Sequence, residues 1–191
     1  MPYHFFPMIA RMRYINRWGL MRNTDPENIQ EHSHMVAVLA HALAVLQNER
    51  FGGQVDPGAV AVAALYHDAS EILTGDMPTP IKYDNPDIQS AYKQVEAVAE
   101  QKLLNMLPED LRPAYDEALT MPDPEIRALV KAADKLSAYL KCVEELKAGN
   151  SEFKKAREQT WAALQDNPLP ALQCFMEEFL PGFALTLDEL N

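Results

Sequence analysis

The chain has 191 residues, 48% hydrophobic and 24% charged, with only 7 glycines and a formal net charge of −11. That length suits one substantial core, so a single domain over 1–191 is expected, and the balance excludes disordered, collagen-like and membrane-embedded classes. The acidity argues against a nucleic-acid polymer as partner, because such binding needs Lys and Arg to neutralise successive phosphates, yet it leaves room for a small anion held by one arginine and a metal ion.

Helical periodicity dominates, with no alternating strand pattern, and this predicts an all-α bundle. A first helix is expected over residues 8–17. A second starts after Asp25-Pro26, with Asp25 as N-cap and Pro26 in the first turn, and runs to about Gln47. A third opens at Asp56-Pro57 and continues to Leu73, where Gly75 supplies a left-handed cap. Asp76-Met77-Pro78-Thr79-Pro80 cannot continue a helix and is expected to form a rigid turn. Further helices are predicted over 86–106, 108–119, 124–147, 152–164 and 168–179, with a short tail over 183–191.

The longest apolar stretch, residues 35–46, is twelve residues and contains His41, short of the roughly 18 that span a bilayer. No signal-peptide pattern stands at the N-terminus, so no membrane association is expected and the cytoplasm is the default location. Cys142 and Cys174 lack a metal or redox spacing and read as two reduced, packed thiols.

Chemistry concentrates on three helices. On the second, Met35, Val36, Leu39, Leu43 and Leu46 fall within about 60° of His32, so His32 points into the core, with His34 and His41 opposite. On the third, His67 and Asp68 end an apolar run, and Glu71 lies four and three residues beyond them, within reach of one site. Asp134 stands at the edge of the stripe Ile126, Leu129, Ala133, Leu136, Leu140 and Val143. Taken singly, His32 also reads as a core histidine bonded to a carbonyl, His67-Asp68 as a helix end emerging into solvent, and Asp134 as a solvated acid. Together, two imidazoles and two carboxylates form a nitrogen and oxygen set suited to zinc, manganese, iron or cobalt.

The order His, His-Asp, Asp over three helices resembles the HD-domain phosphohydrolases, and specifically the bacterial 5'-deoxynucleotidases. The longer strings carry that resemblance: Ile15-Asn-Arg-Trp-Gly-Leu-Met-Arg22, Asn28-Ile-Gln-Glu-His-Ser33, Tyr66-His-Asp-Ala-Ser-Glu-Ile-Leu-Thr-Gly-Asp-Met-Pro-Thr-Pro80 and Tyr139-Leu-Lys-Cys-Val-Glu-Glu-Leu146. The resemblance implies an HD-type helical fold with one divalent cation (Co, Mn, Zn or Mg) on His32, His67, Asp68 and Asp134. It makes Glu71 the catalytic acid or base, with Arg17 and Asp68 beside it in the catalytic set. Arg17 would orient the phosphate, Trp18 would contact the sugar and disfavour ribonucleotides, and Asp68 and Asp76, Met77, Pro78 and Thr79 would complete the nucleotide site. It implies deoxyribonucleoside 5'-monophosphates as substrates and a homodimer. The competing expectations are an HD phosphohydrolase acting on nucleoside triphosphates or cyclic nucleotides, and a catalytically silent nucleotide-sensing module.

Overall fold

An Asp or Asn followed by proline opens three of the helices, because the side chain accepts the orphan amides of the first turn while proline has no amide to lose there. Asp56 caps α3 (Pro57–Tyr66), Asn85 caps α6 (Pro86–Leu104) and Asp123 caps α8 (Pro124–Lys147). The structure, a computed structural model, describes residues 2–82 and 85–190, with Thr79 and Pro80 as backbone alone. The other helices are α1 (Phe5–Ile9), α2 (Ile29–Phe51), α4 (Glu71–Thr74), α5 (Thr79–Lys82), α7 (Arg112–Thr120), α9 (Lys154–Gln165) and α10 (Pro170–Glu178). Among the described residues there is no strand, only one isolated bridge between Asn16 and Asn28. The all-α expectation holds.

Helix α2 is central, with α3, α8 and α10 packed on it and α9 on the outer side of α8. Val36, Leu39 and Leu43 of α2 meet Val60, Ala63 and Ala64 of α3 and Leu129, Ala133, Leu136 and Leu140 of α8. The alanines matter because small side chains let helix backbones approach closely, while each fully buried leucine contributes about 1.5 to 3 kcal/mol. A second cluster gathers Phe5, Ala69, Leu103, Leu104, Leu107 and Leu119. Its member Ala69 is fully buried and anchors the turn that follows α3.

Several boundaries differ from expectation. The predicted helix over 8–17 is instead α1 followed by a 3-10 turn, Ala10–Tyr14, after which Ile15 turns extended. The reason is a backbone bond from Ile29 N–H to the Ile15 carbonyl, which draws this segment alongside the start of α2. Helix α2 is capped by Asn28 rather than Asp25, in a capping box with Glu31, because residues 27 and 28 are drawn out of helix by pairing with 16 and 17, with Arg17 N–H on the Glu27 carbonyl. Helix α3 stops at Tyr66, where the pull of Ala69 into the second cluster breaks the ladder, and Glu71 opens a separate short helix. Gly75 has positive φ as expected, at 75°, but with ψ of 161° it lies outside the left-handed helical region and is not a left-handed helical cap. The predicted turn covers only 76–78, since Thr79 and Pro80 begin α5. Helix α7 starts at Arg112, not 108, and the tail coils into 3-10 turns at Leu180–Ala184 and Leu187–Glu189. Helix α8 runs over the predicted 124–147.

Candidate metal centre

Three elements bring the candidate ligands together. His32 lies in the first turn of α2 and is fully buried, as its place on the apolar stripe requires. His67 is the C-cap of α3 and Asp68 follows it in the turn held by Ala69. The donor atoms of His32, His67 and Asp68 all lie within 4.8 Å of one another. Asp134 joins them from α8, its Oδ1 3.0 Å from His32 Nε2 and 4.0 Å from His67 Nε2. With its side chain 38% exposed, Asp134 closes the cluster from the solvent side, as its marginal place on the α8 wheel implied.

Each imidazole is oriented from behind. His67 Nδ1 donates to the Ala64 carbonyl at 2.7 Å, which leaves Nε2 as the atom turned into the cluster. His32 Nδ1 meets the Ser137 hydroxyl at 3.2 Å and its Nε2 likewise faces inward. His67 Nε2 approaches Asp68 Oδ2 to 3.2 Å, but off the line of a hydrogen bond, and it is buried without a hydrogen-bond partner among the described residues. An orphaned buried nitrogen beside two carboxylates is costly alone and is relieved by a cation. The residues therefore fit a divalent metal.

The electrostatics agree. Burial disfavours charge on His67, yet Asp68 and Asp134 outweigh it and raise the imidazole to about 9. Burial likewise opposes ionisation of Asp68, but His67, Arg17 and His32 overcome it and hold the carboxyl down at about 2. Asp134 is held well below the usual carboxylate range, its burial outweighed by His32 and then His67 and Arg17. This is a pair of carboxylates kept ionised in a pocket that favours positive charge.

Around the cluster, Arg17 donates from Nη1 to Asp68 Oδ2 at 3.1 Å and from Nε to Glu27 Oε2 at 3.0 Å. Trp18 donates its indole N–H to the same Glu27 oxygen at 3.3 Å and packs on Phe153 with ring centroids 5.3 Å apart. Glu71 is 5% exposed, and its Oε2 lacks a hydrogen-bond partner among the described residues. Burial first, then Asp68 and Asp76, push its carboxyl up to about 9. Burial raises the Asp76 carboxyl, against the pull of Arg17 and of the nearby Trp18 backbone N–H. Met77 and Pro78 lead away, half-buried. The Thr79 side chain lies outside the described residues.

The expectation that one helix carries His67, Asp68 and Glu71 is corrected, since a turn separates α3 from α4. Their side chains nonetheless converge, because His67 and Ser70 keep right-handed helical angles and the bonds from Ala69 N–H to Tyr66 O and from Glu71 N–H to Asp68 O carry the helical path across the turn. Sequence reasoning missed Glu27, Ser137 and Phe153. Ser137 carried a faint signal, a hydroxyl one helical turn beyond Asp134 within an apolar stripe; Glu27 carried none.

A histidine from one helix, His-Asp from the end of the next and an aspartate from a third, in a bundle without strands, are the marks of an HD-domain phosphohydrolase fold. An HD-domain phosphohydrolase from Listeria innocua shares it with a TM-score of 0.82, over 94% of this chain and 88% of that one, at 21% identity. The HD phosphohydrolase of cyanophage S-2L, solved with dA and one catalytic Zn2+, matches at a TM-score of 0.67, over 94% and 96% of the two chains, at 25% identity. At the level of sequence, the family described as 5'-deoxynucleotidase YfbR-like matches residues 4–183. The 5'-deoxynucleotidase of Vibrio cholerae is 50% identical over 190 residues, 98% of each chain. The chain belongs to the YfbR-like 5'-deoxynucleotidase family.

Proposed function

We infer that the chain hydrolyses deoxyribonucleoside 5'-monophosphates to the deoxynucleoside and inorganic phosphate, using one divalent cation held by His32, His67, Asp68 and Asp134. The observation that carries this reading is the orphaned His67 Nε2 among two imidazoles and two ionised carboxylates, with Arg17 at their rim. The mixed nitrogen and oxygen donors suit Zn, Mn or Co, and Mg less well. When bound, such a cation supplies Lewis acidity, lowering the pKa of a water and neutralising charge on a phosphoryl oxygen.

The remaining work falls to the protein's own groups. Arg17, braced by carboxylates at Nε and Nη1, presents the outer edge of its guanidinium to the phosphate. Glu71, with its carboxyl pushed up to about 9, is protonated near neutrality and gives that proton to the departing 5'-oxygen as the phosphorus–oxygen bond breaks. Water adds to phosphorus and keeps one proton on the new phosphate oxygen, while its other proton returns through solvent to restore the Glu71 carboxyl. Trp18 stands against the sugar's 2' carbon, where an apolar wall tolerates hydrogen and leaves a hydroxyl unpaired, at a cost of about 1 to 3 kcal/mol. Asp68, and Asp76 with Met77, Pro78 and Thr79, line the rest of the nucleotide.

The same reading treats residues 1–191 as one domain that acts as a homodimer in the cytoplasm. Support for a dimer comes from Met35, Val38 and Val45, apolar residues on one side of α2 that are 38%, 52% and 37% exposed. Both cysteines are free, as a reducing compartment keeps them. No helix among the described residues is long and apolar enough to cross a membrane.

The test is phosphate release from a panel of deoxy and ribo 5'-monophosphates and 3'-monophosphates with Mg, Mn, Co and Zn. Turnover of the deoxy 5' series, with the ribo series poorer and the 3' isomers inert, is the expected result. Release of pyrophosphate or triphosphate from triphosphates instead, or no turnover with any metal at full occupancy, would defeat the reading.

A further inference from the structure

Trp18 is one of two non-glycine residues among those described whose φ is positive, the other being Met121. It is not glycine, yet its φ is 57°, in the left-handed region where a bulky side chain is strained. The surroundings hold it there by every handle it has. Its backbone N–H faces the Asp76 carboxyl and draws that acid down, its carbonyl accepts from Met21 N at 2.8 Å and Asn23 Nδ2 at 3.3 Å, and its ring rests on Phe153. The indole N–H is the remaining handle, and Glu27 takes it.

Glu27 reaches this position because backbone bonds from Arg17 N–H to the Glu27 carbonyl and from Ile29 N–H to the Ile15 carbonyl, both 2.9 Å, set the segment 15–17 directly across from 27–29. One oxygen, Oε2, then receives both Arg17 Nε at 3.0 Å and the Trp18 indole at 3.3 Å. The side chains of Arg17 and Glu27 are only 13% and 16% exposed, so water does not compete freely for either bond. Two residues with different duties share a single acceptor.

We propose that Glu27 is a positioning residue that sets Arg17 and Trp18 in one register through a single carboxylate oxygen, so that phosphate orientation and the choice of deoxyribose over ribose depend on the same group. This rests on the functional reading above. A charge-assisted pair to Arg17 fixes the guanidinium against rotation about its last bond, and the bond to the indole fixes the tilt of the plane that faces the sugar. Removing the shared oxygen loosens both at once, leaving Arg17 its bond to Asp68 and the indole its contact with Phe153. A group that merely held the loop together would alter stability and leave discrimination between sugars untouched.

The experiment compares wild type with Glu27→Ala and with Glu27→Gln, which keeps shape and one acceptor oxygen should the alanine variant fold poorly. Steady-state kinetics on deoxy and ribo 5'-monophosphates of one base are measured beside the bound-metal content of each protein. Expected are a fall in kcat/KM for the deoxy substrate on the order of 10- to 100-fold, a lower deoxy-to-ribo ratio in the same variants, and wild-type metal content. In a Trp18→Ala background, Glu27→Ala should leave the ratio where Trp18→Ala alone puts it. An unchanged ratio in both Glu27 variants, or a further fall of the ratio in the double variant, overturns the proposal while wild-type turnover of the deoxy substrate keeps the functional reading intact. A wild-type protein that releases no phosphate from either nucleotide overturns that reading, and this one with it.

Discussion

Glu145 offers a demanding test of how the loop that carries Arg17 and Trp18 is held. It is 1% exposed, its Oε1 is 2.5 Å from the ammonium of Lys141, itself 5% exposed, and its carboxylate also accepts from Thr24 N at 2.9 Å, Asp25 N at 3.1 Å and Asn150 Nδ2 at 2.8 Å. Lys141 in turn donates to the Asp25 carbonyl. Glu145→Ala would leave a buried ammonium without its counter-charge and two backbone amides without partners, and breaking one side of a buried ion pair costs about 3 to 5 kcal/mol. For a chain of this size each kcal/mol moves Tm by about 2 to 4 °C, so a fall of roughly 6 to 20 °C is expected. Glu145→Gln keeps the shape and one acceptor and should cost less, about 2 kcal/mol. The native environment holds Glu145 well below its ordinary range, its burial outweighed by Lys141 and Asn150. A depressed acid stabilises the fold above its unfolded pKa and loses that contribution as pH falls, so the gap between wild type and Glu145→Ala should narrow on acidification. Urea unfolding at several pH values measures both effects. A cost below about 1 kcal/mol near neutrality, or a gap that widens in acid, would refute the reasoning.

Three further outcomes are expected. Because His67 is raised to about 9, cation binding at neutral pH must displace its proton; calorimetry in buffers of different ionisation enthalpy should show about one proton released, with affinity rising as pH climbs toward that value. Affinity that does not vary with pH would contradict this. Ser137→Ala removes the hydroxyl that orients His32 and should weaken cation binding by about 10- to 100-fold, read by competition with a chelating dye, with little change in the melting of the metal-free protein. Trp18→Ala should raise ribonucleotide hydrolysis relative to deoxyribonucleotide hydrolysis; equal ratios in mutant and wild type would remove Trp18 from the sugar site.

The parts of this structure legible in the sequence are those governed by local rules. Helix α8 could be bounded at 124–147 because Asp123-Pro124 supplies both cap and first turn and its apolar stripe is unbroken. His32 could be turned inward from the stripe of α2, and the half-exposed setting of Asp134 follows from its place at the margin of α8. What escaped was set by tertiary contact. The apolar run through Ala69 looks like uninterrupted helix, and only the pull of the second core cluster explains why α3 stops at Tyr66. Asp25-Pro26 has the same local signature as the true caps, but the two residues before α2, Glu27 and Asn28, are held by Arg17 and Asn16 and cannot turn helical. Glu27 was invisible for a like reason, since its meeting with Arg17 and Trp18 depends on a loop closing upon itself.

The confinement of Trp18 has an optical consequence. The chain holds two indoles, and the other, Trp161, stacks near Tyr139 with ring centroids 5.2 Å apart, beside a cavity whose lining includes none of the candidate ligands. Trp161→Phe would leave a single indole, tethered to Glu27 and resting on Phe153 beside Arg17, and its emission can be excited apart from that of the 7 tyrosines. That emission would report each arrival and departure beside Arg17 without any label attached.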